Sequence, residues 1–361
     1  MSSSASFAGR VFFSSQCGGQ KTSMSTTVVI TGASAGIGRA AALEFAREGC
    51  NVALLARGVE RLESTARQAA GFGVEALAIP VDVADAAALD AAAERVEREL
   101  GAIDVWINNA MATIFAPACA IRSDEFRRVT EVTYLGQVHG TMAALRRMRR
   151  RNEGTIIQIG SALSYRAMPL QSAYCAAKFA VRAFTDALRS ELAYEGSRIR
   201  ITMVQLPAVN TPRFDWARSR MAEKARPVAP IFQPEAIARE IVRAAREAPC
   251  ELWVGRSTVN AIIAAMLLPG AVDHAREGYA GQLTADLRDS ARPDNLFSPP
   301  SGDPGARGRF DNQAHTTVTG FDPVRLRAGG LLFVLTSIAG AFVAGAFVFG
   351  RIVNGRAAVR R

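Results

Sequence analysis

VVITGASAGIGRAAALEFAREG, residues 28–49, is the stretch on which the fold turns. A short run of β-branched apolar residues ends in Thr31, glycines follow at Gly32, Gly36 and Gly38, and an alanine-rich helical segment begins at Arg39. Without a Cβ, such a turn lets main-chain N–H groups approach a pyrophosphate at the positive end of a helix. Glycines also serve tight turns, so the motif alone is weak. A strand before it and a helix after it select dinucleotide binding. Gly32, Ser34, Gly36, Ile37 and Gly38 are the expected contacts.

Outward from that turn, apolar runs alternate with longer Ala/Leu/Arg/Glu segments: VALLAR, ALAIPVDV, IDVWINN, GTIIQIGS, RITMVQL and ELWVG. Alternation of this kind implies strands joined by crossover helices. The expected fold is α/β, a Rossmann-like doubly wound parallel sheet with helices on both faces, plus a C-terminal hydrophobic transmembrane helix. The expected organisation is a disordered arm at 1–25, a dinucleotide-binding domain at 26–285, and a Pro/Gly-rich linker at 286–326. A membrane helix at 327–351 and a basic tail at 352–361 follow. The run Ala328–Gly350 holds 23 uncharged residues, about 34 Å of helix, enough for a bilayer core. Ser257–Val272 is also uncharged but short for a span, and reads as a buried or lid-like helix. Residues 1–23 lack the apolar core of a secretory signal.

The formal net charge is +10, yet residues 1–43 carry three cations and 325–361 six arginines, neither with an acid, leaving +1 for 44–324. A balanced body argues against nucleic acid as partner and for basic ends beside a membrane. The interior run RRMRRR at 146–151 reads as the solvated end of a helix. Five scattered cysteines without a CxxC, and three histidines without HExxH, fit a reducing compartment and give no disulfide framework and no metal site.

Two further features carry chemistry. The strand NVALLARG ends in Arg57, 25 residues after Gly32, where an acid would hold a ribose 2′-hydroxyl and an arginine accommodates a 2′-phosphate. NADP(H) is therefore the expected cofactor. Tyr174 and Lys178 stand four residues apart, on one face of a helix, so the ammonium can favour the phenolate and make the tyrosine a proton donor or acceptor near neutrality. The chain has only three lysines, so this one looks selected for its ammonium. Ser161 ends the strand TIIQIG, at the sheet edge where open α/β folds bind ligands.

With TGASAGIG (31–38), VDV (81–83), NNA (108–110), Ser161, Tyr174-x3-Lys178 and Thr211 in order, residues 26–255 resemble the classical short-chain dehydrogenase/reductases. The resemblance implies that Asp82 contacts the adenine and that Asn108 and Asn109 brace the sheet. By the same resemblance Ser161 holds the substrate oxygen, Tyr174 exchanges the proton, Lys178 binds the nicotinamide ribose, and Val209 and Thr211 hold the carboxamide. Thr133 stands where the family usually has an Asn supporting a water in the proton path, a catalytic role its hydroxyl could still fill by holding a water, and Met111 stands where Gly is usual. LPAVNTP lacks the customary glycine after its first proline.

The implied activity is hydride transfer between NADP(H) and a carbonyl or alcohol substrate. Phe214, Trp216, Met221 and Phe232 in the segment expected to form a lid read first as ordinary packing; as recognition residues they would favour an apolar substrate. The alternative from another class is a membrane-tethered dinucleotide-binding sensor or scaffold. A G-x-S-x-G hydrolase elbow at 32–36 is disfavoured, because no earlier strand supplies an oxyanion hole. Membrane association through the C-terminal segment, a catalytic domain facing the cytoplasm and a homo-oligomer complete the expectations.

Overall fold

In a computed structural model, residues 26–267, 281–289 and 292–326 are described. The chain divides into two compact units, Met1–Gly320 and Phe321–Arg361; everything below concerns the first. The expected arm at 1–25, membrane helix at 327–351 and basic tail at 352–361 lie outside the described residues. Among the described residues no helix is long and apolar enough to cross a membrane.

The apolar runs become parallel strands of one central sheet: β1 (Thr27–Thr31), β2 (Asn51–Ala56), β3 (Ala76–Pro80), β4 (Ile103–Asn108), β5 (Thr155–Ile159), β6 (Arg200–Gln205) and β7 (Glu251–Val254). Their order is β7-β6-β5-β4-β1-β2-β3. In register, Val29 pairs with Ala53 on one side and with Trp106 on the other. The helices α1 (Gly36–Arg47), α2 (Val59–Ala70), α3 (Ala86–Leu100), α4 (Ser123–Thr130), α5 (Gly136–Arg151), α6 (Ser172–Tyr194), α7 (Arg213–Trp216), α8 (Pro234–Glu247) and α9 (Arg256–Leu267) make the connections.

Period-two alternation explains why the central strands are apolar at every position. In β1, Val28 and Ile30 join a core with Phe45 of α1, Leu62 of α2 and Ile241 of α8, while Val29 faces the other way. That second core holds Leu89 of α3, Ala144 of α5 and Leu188 of α6. Both faces of the sheet are therefore covered, as a parallel sheet requires. Each fully buried aliphatic side chain contributes about 1.5–3 kcal/mol.

The strand order reverses between β1 and β4, which opens a crevice at their carboxyl ends. A polar lattice locks α5 onto the sheet beside it. Trp106 Nε1 donates to Asn108 Oδ1 (2.8 Å), Asn108 Nδ2 to Thr141 Oγ1 (3.0 Å), and Gln158 Nε2 to the same hydroxyl (2.7 Å). Between α4 and α5 the helix opens into a π turn, Glu131–Leu135, that carries Thr133.

Two expectations are corrected here. Arg147, within the run read as solvated, is 7% exposed. Its guanidinium meets Asp90 Oδ1 at 2.7 Å and the Asp90 carbonyl at 2.9 Å, tying α5 to α3. Packing of the two helices, invisible in the local sequence, turns this one arginine inward, while Arg146, Arg149 and Arg150 stay exposed as expected. The stretch 292–310, read as extended linker, instead crosses the body as a strap. Leu296 is fully buried, and the strap's carbonyls accept from Arg57, Arg61 and Arg128. Pro and Gly deny it helix or strand, but its main-chain acceptors find arginines. Farther back, α9 buries Thr258 and Ile262 and exposes Ile263, Met266 and Leu267.

Candidate active site

At the carboxyl edge of the sheet lies a cavity of about 530 Å³. Gly32, Ser34, Gly36 and Ile37 form one wall, Arg57 and Asp82 one end, and Asn109, Ser161, Tyr174, Lys178, Val209 and Thr211 the rest of the expected set. Met111 lines it as well. Gly38 and Thr133 do not.

The glycine loop has the shape a pyrophosphate needs. Gly32 and Gly36 take φ of +68° and +57°, which disfavours a side chain at either. A Cβ at Gly36 would press on Thr211 Cγ2 at 3.3 Å. Gly38 lies beneath: a Cβ there would fall 2.2 Å from the Gly32 carbonyl oxygen, so this glycine serves helix–strand packing. Asn109 holds the other side, its Nδ2 donating to Thr31 O at 2.9 Å and its main-chain N–H to Thr31 Oγ1 at 2.9 Å. These residues fit a bound dinucleotide.

At the Arg57 end, Asp82 accepts from the Ala84 N–H (3.0 Å) and pairs with Arg128. Burial would raise its carboxyl, but the Ala84 N–H and Arg128 hold it below the usual range. The Arg57 guanidinium donates to the carbonyls of Asn295, Leu296 and Phe297, the last at 2.8 Å. Burial and the Arg128 charge press its pKa down. The strap also reaches the glycine loop, where Gly36 N–H donates to Gly305 O at 3.3 Å, and Asp303 joins Arg39 and Ser64.

At the other end stand Ser161, Tyr174 and Lys178. Tyr174 is 5% exposed and Lys178 1%, and the ammonium sits 5.7 Å from the centre of the phenol ring. Lys178 Nζ donates to the Ile159 carbonyl at 2.6 Å. Burial, and then the Arg213 charge, lower its pKa to about 7. Burial raises the Tyr174 phenol, while Arg213 and Ser161 beside it act in the opposite direction. The serine is held by its main chain, since Ser161 N–H donates to Gln205 Oε1 (2.8 Å) and Gln205 Nε2 donates to Glu251 Oε1 (2.6 Å).

Thr133 does not line the cavity with these groups. Its buried hydroxyl accepts from Ala112 N–H (2.9 Å) and donates to Ala112 O (2.8 Å), so the water-holding role expected of it has no free donor. Of the lid aromatics, Phe214 packs on Phe115 and Phe310 with ring centres 6.1 and 6.2 Å away, and Phe232 on His315 at 5.5 Å. Trp216 reaches the cavity. Arg213, Gln205, Glu251 and the strap escape sequence reasoning, because each acts through a contact distant in sequence.

Comparison with known proteins agrees with this geometry. The family model for short chain dehydrogenase matches residues 26–222. The uncharacterized oxidoreductase YxnA of Bacillus subtilis is 30% identical over 252 residues, 69% of this chain and 71% of the relative. A short-chain dehydrogenase from Streptomyces avermitilis superposes with a TM-score of 0.61 at 26% identity, covering 70% of this chain and 96% of that structure. An alcohol dehydrogenase from Thermococcus sibiricus, complexed with 5-hydroxy-NADP, gives 0.54 at 30% identity, with 63% and 95% covered. The chain belongs to the short-chain dehydrogenase family, whose members are oxidoreductases using a nicotinamide dinucleotide.

Thr133→Val should lower the melting temperature by a few degrees, since about 1–2 kcal/mol of buried hydrogen bonding is lost. The pH profile of turnover should stay where it is. A shifted profile would return Thr133 to the proton path.

Proposed function

We propose that the protein is an NADP(H)-dependent oxidoreductase acting on a carbonyl or alcohol substrate with an apolar body, with Tyr174 as general acid/base. The observation that carries this reading is the buried Tyr174–Lys178 pair, which shares one cavity with Ser161 and the glycine loop. Leu163, Met168 and Val228 on the cavity wall favour an apolar substrate body.

A bound nicotinamide ring supplies or accepts the hydride. In the reducing direction the Ser161 hydroxyl holds the carbonyl oxygen, and Tyr174 gives that oxygen its proton as the carbonyl becomes an alcohol. The Lys178 ammonium, 5.7 Å from the centre of the phenol ring, stabilises the phenolate left behind. Lys178 hydrogen-bonded to Ile159 O is held in place to meet a ribose. These assembled groups favour turnover over a binding-only sensor.

NADP(H) is favoured over NAD(H) because Arg57 and Arg128 face one another at the adenosine end, and a dianionic 2′-phosphate would relieve their repulsion. The relative bound to 5-hydroxy-NADP points the same way. The uncharged run Ala328–Gly350 is proposed as a membrane tether, with the catalytic domain facing the cytoplasm, where NADPH is supplied.

Tyr174→Phe should cut turnover by about 10²–10⁴-fold, with dinucleotide binding, followed by fluorescence titration, retained. Turnover at the wild-type rate would overturn the mechanism. Arg57→Asp should weaken NADP(H) about tenfold or more and strengthen NAD(H); unchanged NADP(H) affinity would remove Arg57 from the site. Deleting residues 324–361 should move the protein from the membrane fraction to the supernatant on cell fractionation. Retention on membranes would end the tether reading.

A further inference from the structure

Arg213 begins α7, directly after Thr211 and Pro212, and lines the cavity on the Tyr174 side. Its guanidinium carbon lies 5.4 Å from the centre of the Tyr174 ring and 4.7 Å from that of Phe214. Its guanidinium hydrogen-bonds the Tyr174 hydroxyl, its contact with Gln171 Oε1 is long at 3.4 Å, and its Nε is buried without a partner. No carboxylate of the described residues pairs with it. Other arginines of the same segment are neutralised: Arg218 and Arg220 share Glu125 at 2.9 and 2.6 Å.

The cavity lining reinforces the point. Besides Arg213 it carries Arg226, which donates to the neutral Gln313 Oε1 at 3.3 Å, and the only acid lining it among the described residues, Asp82, lies at the Arg57 end. A guanidinium left without an anion beside the reacting phenol lowers the affinity of Lys178 for its proton, a cost the fold retains. The planar fork of an arginine matches a carboxylate in two parallel hydrogen bonds.

We propose that Arg213 determines specificity by binding a carboxylate of the substrate, so that the protein acts on an oxo acid or hydroxy acid with an apolar body. The carboxylate lies within a few bonds of the reacting carbon, because Arg213 and Tyr174 are neighbours. This rests on the oxidoreductase reading above. Arg213 takes no part in bond making; it holds the substrate end while Tyr174 delivers the proton.

The test compares medium-chain oxo acids with their methyl esters, using the full chain, Arg213→Gln and Arg213→Lys. Calorimetry with the matching saturated acids, which cannot be reduced, gives a readout independent of turnover. Wild type should prefer acid to ester in kcat/KM by ~10- to 100-fold, the worth of hydrogen bonds to a charged group. Arg213→Gln should collapse that ratio towards one through the KM of the acid, and abolish calorimetric binding of the saturated acid; Arg213→Lys should restore part of both. An equal loss of kcat for acid and ester, with the pH profile displaced upward and acid binding unchanged, would make Arg213 a positioning residue for the phenolate and overturn the proposal. So would a wild type without acid preference. If wild type reduced neither substrate yet bound saturated acids through Arg213, the oxidoreductase reading would fall and the carboxylate site would stand.

Discussion

The close approach of α1 to the end of β1 is the constraint on which the rest depends. A Cβ at Gly38 would lie 2.2 Å from the Gly32 carbonyl oxygen and 2.5 Å from Asn109 Nδ2. Such contact is open only to glycine, and it fixes three elements at once. Asn109, drawn to Thr31 by its side chain and main chain, sets the end of β4 against the end of β1 where the strand order reverses. The crevice between them, and the direction in which the glycine loop offers its N–H groups, follow from that junction.

From there the site is assembled by cations with few acids. Lys178 has a carbonyl as partner, Arg57 has three, and Arg213 has the Tyr174 hydroxyl and a glutamine at long range. Carboxylates in the neighbourhood are drawn off elsewhere: Asp82 by Arg128, Glu125 by Arg218 and Arg220, Glu251 by Gln205 and Tyr165. The cavity therefore keeps an excess of positive charge in a partly dry place, where anions are favoured. The same bias appears at both ends of the cavity.

What was legible in the sequence depended on local spacing. Three glycines between a strand and a helix, or a tyrosine and a lysine four apart, carry their geometry with them, because the helix period and the reach of the backbone dictate it. The strands were legible for the same reason, through apolar runs that a doubly covered sheet requires. Residues whose role rests on distant partners were not. Arg147 reads as surface until α3 brings Asp90 to it. Thr133 reads as a stand-in for a missing Asn until the π turn sets its hydroxyl against Ala112. Arg213 is an ordinary charge until the fold sets it over Tyr174.

The strap was the largest such blind spot, since composition describes a chain that cannot form regular structure and says nothing of where it lies. Its carbonyls and Asp303 engage Arg57, Arg61 and Arg39, and Gly305 touches the glycine loop, so the order of residues 295–305 and occupancy of the dinucleotide site draw on the same groups. Coupling between two equilibria is reciprocal. A ligand that changes how Arg57 is engaged must change the stability of a segment some 240 residues away in sequence, and the readiness of that segment to open is a reading of what the cleft holds.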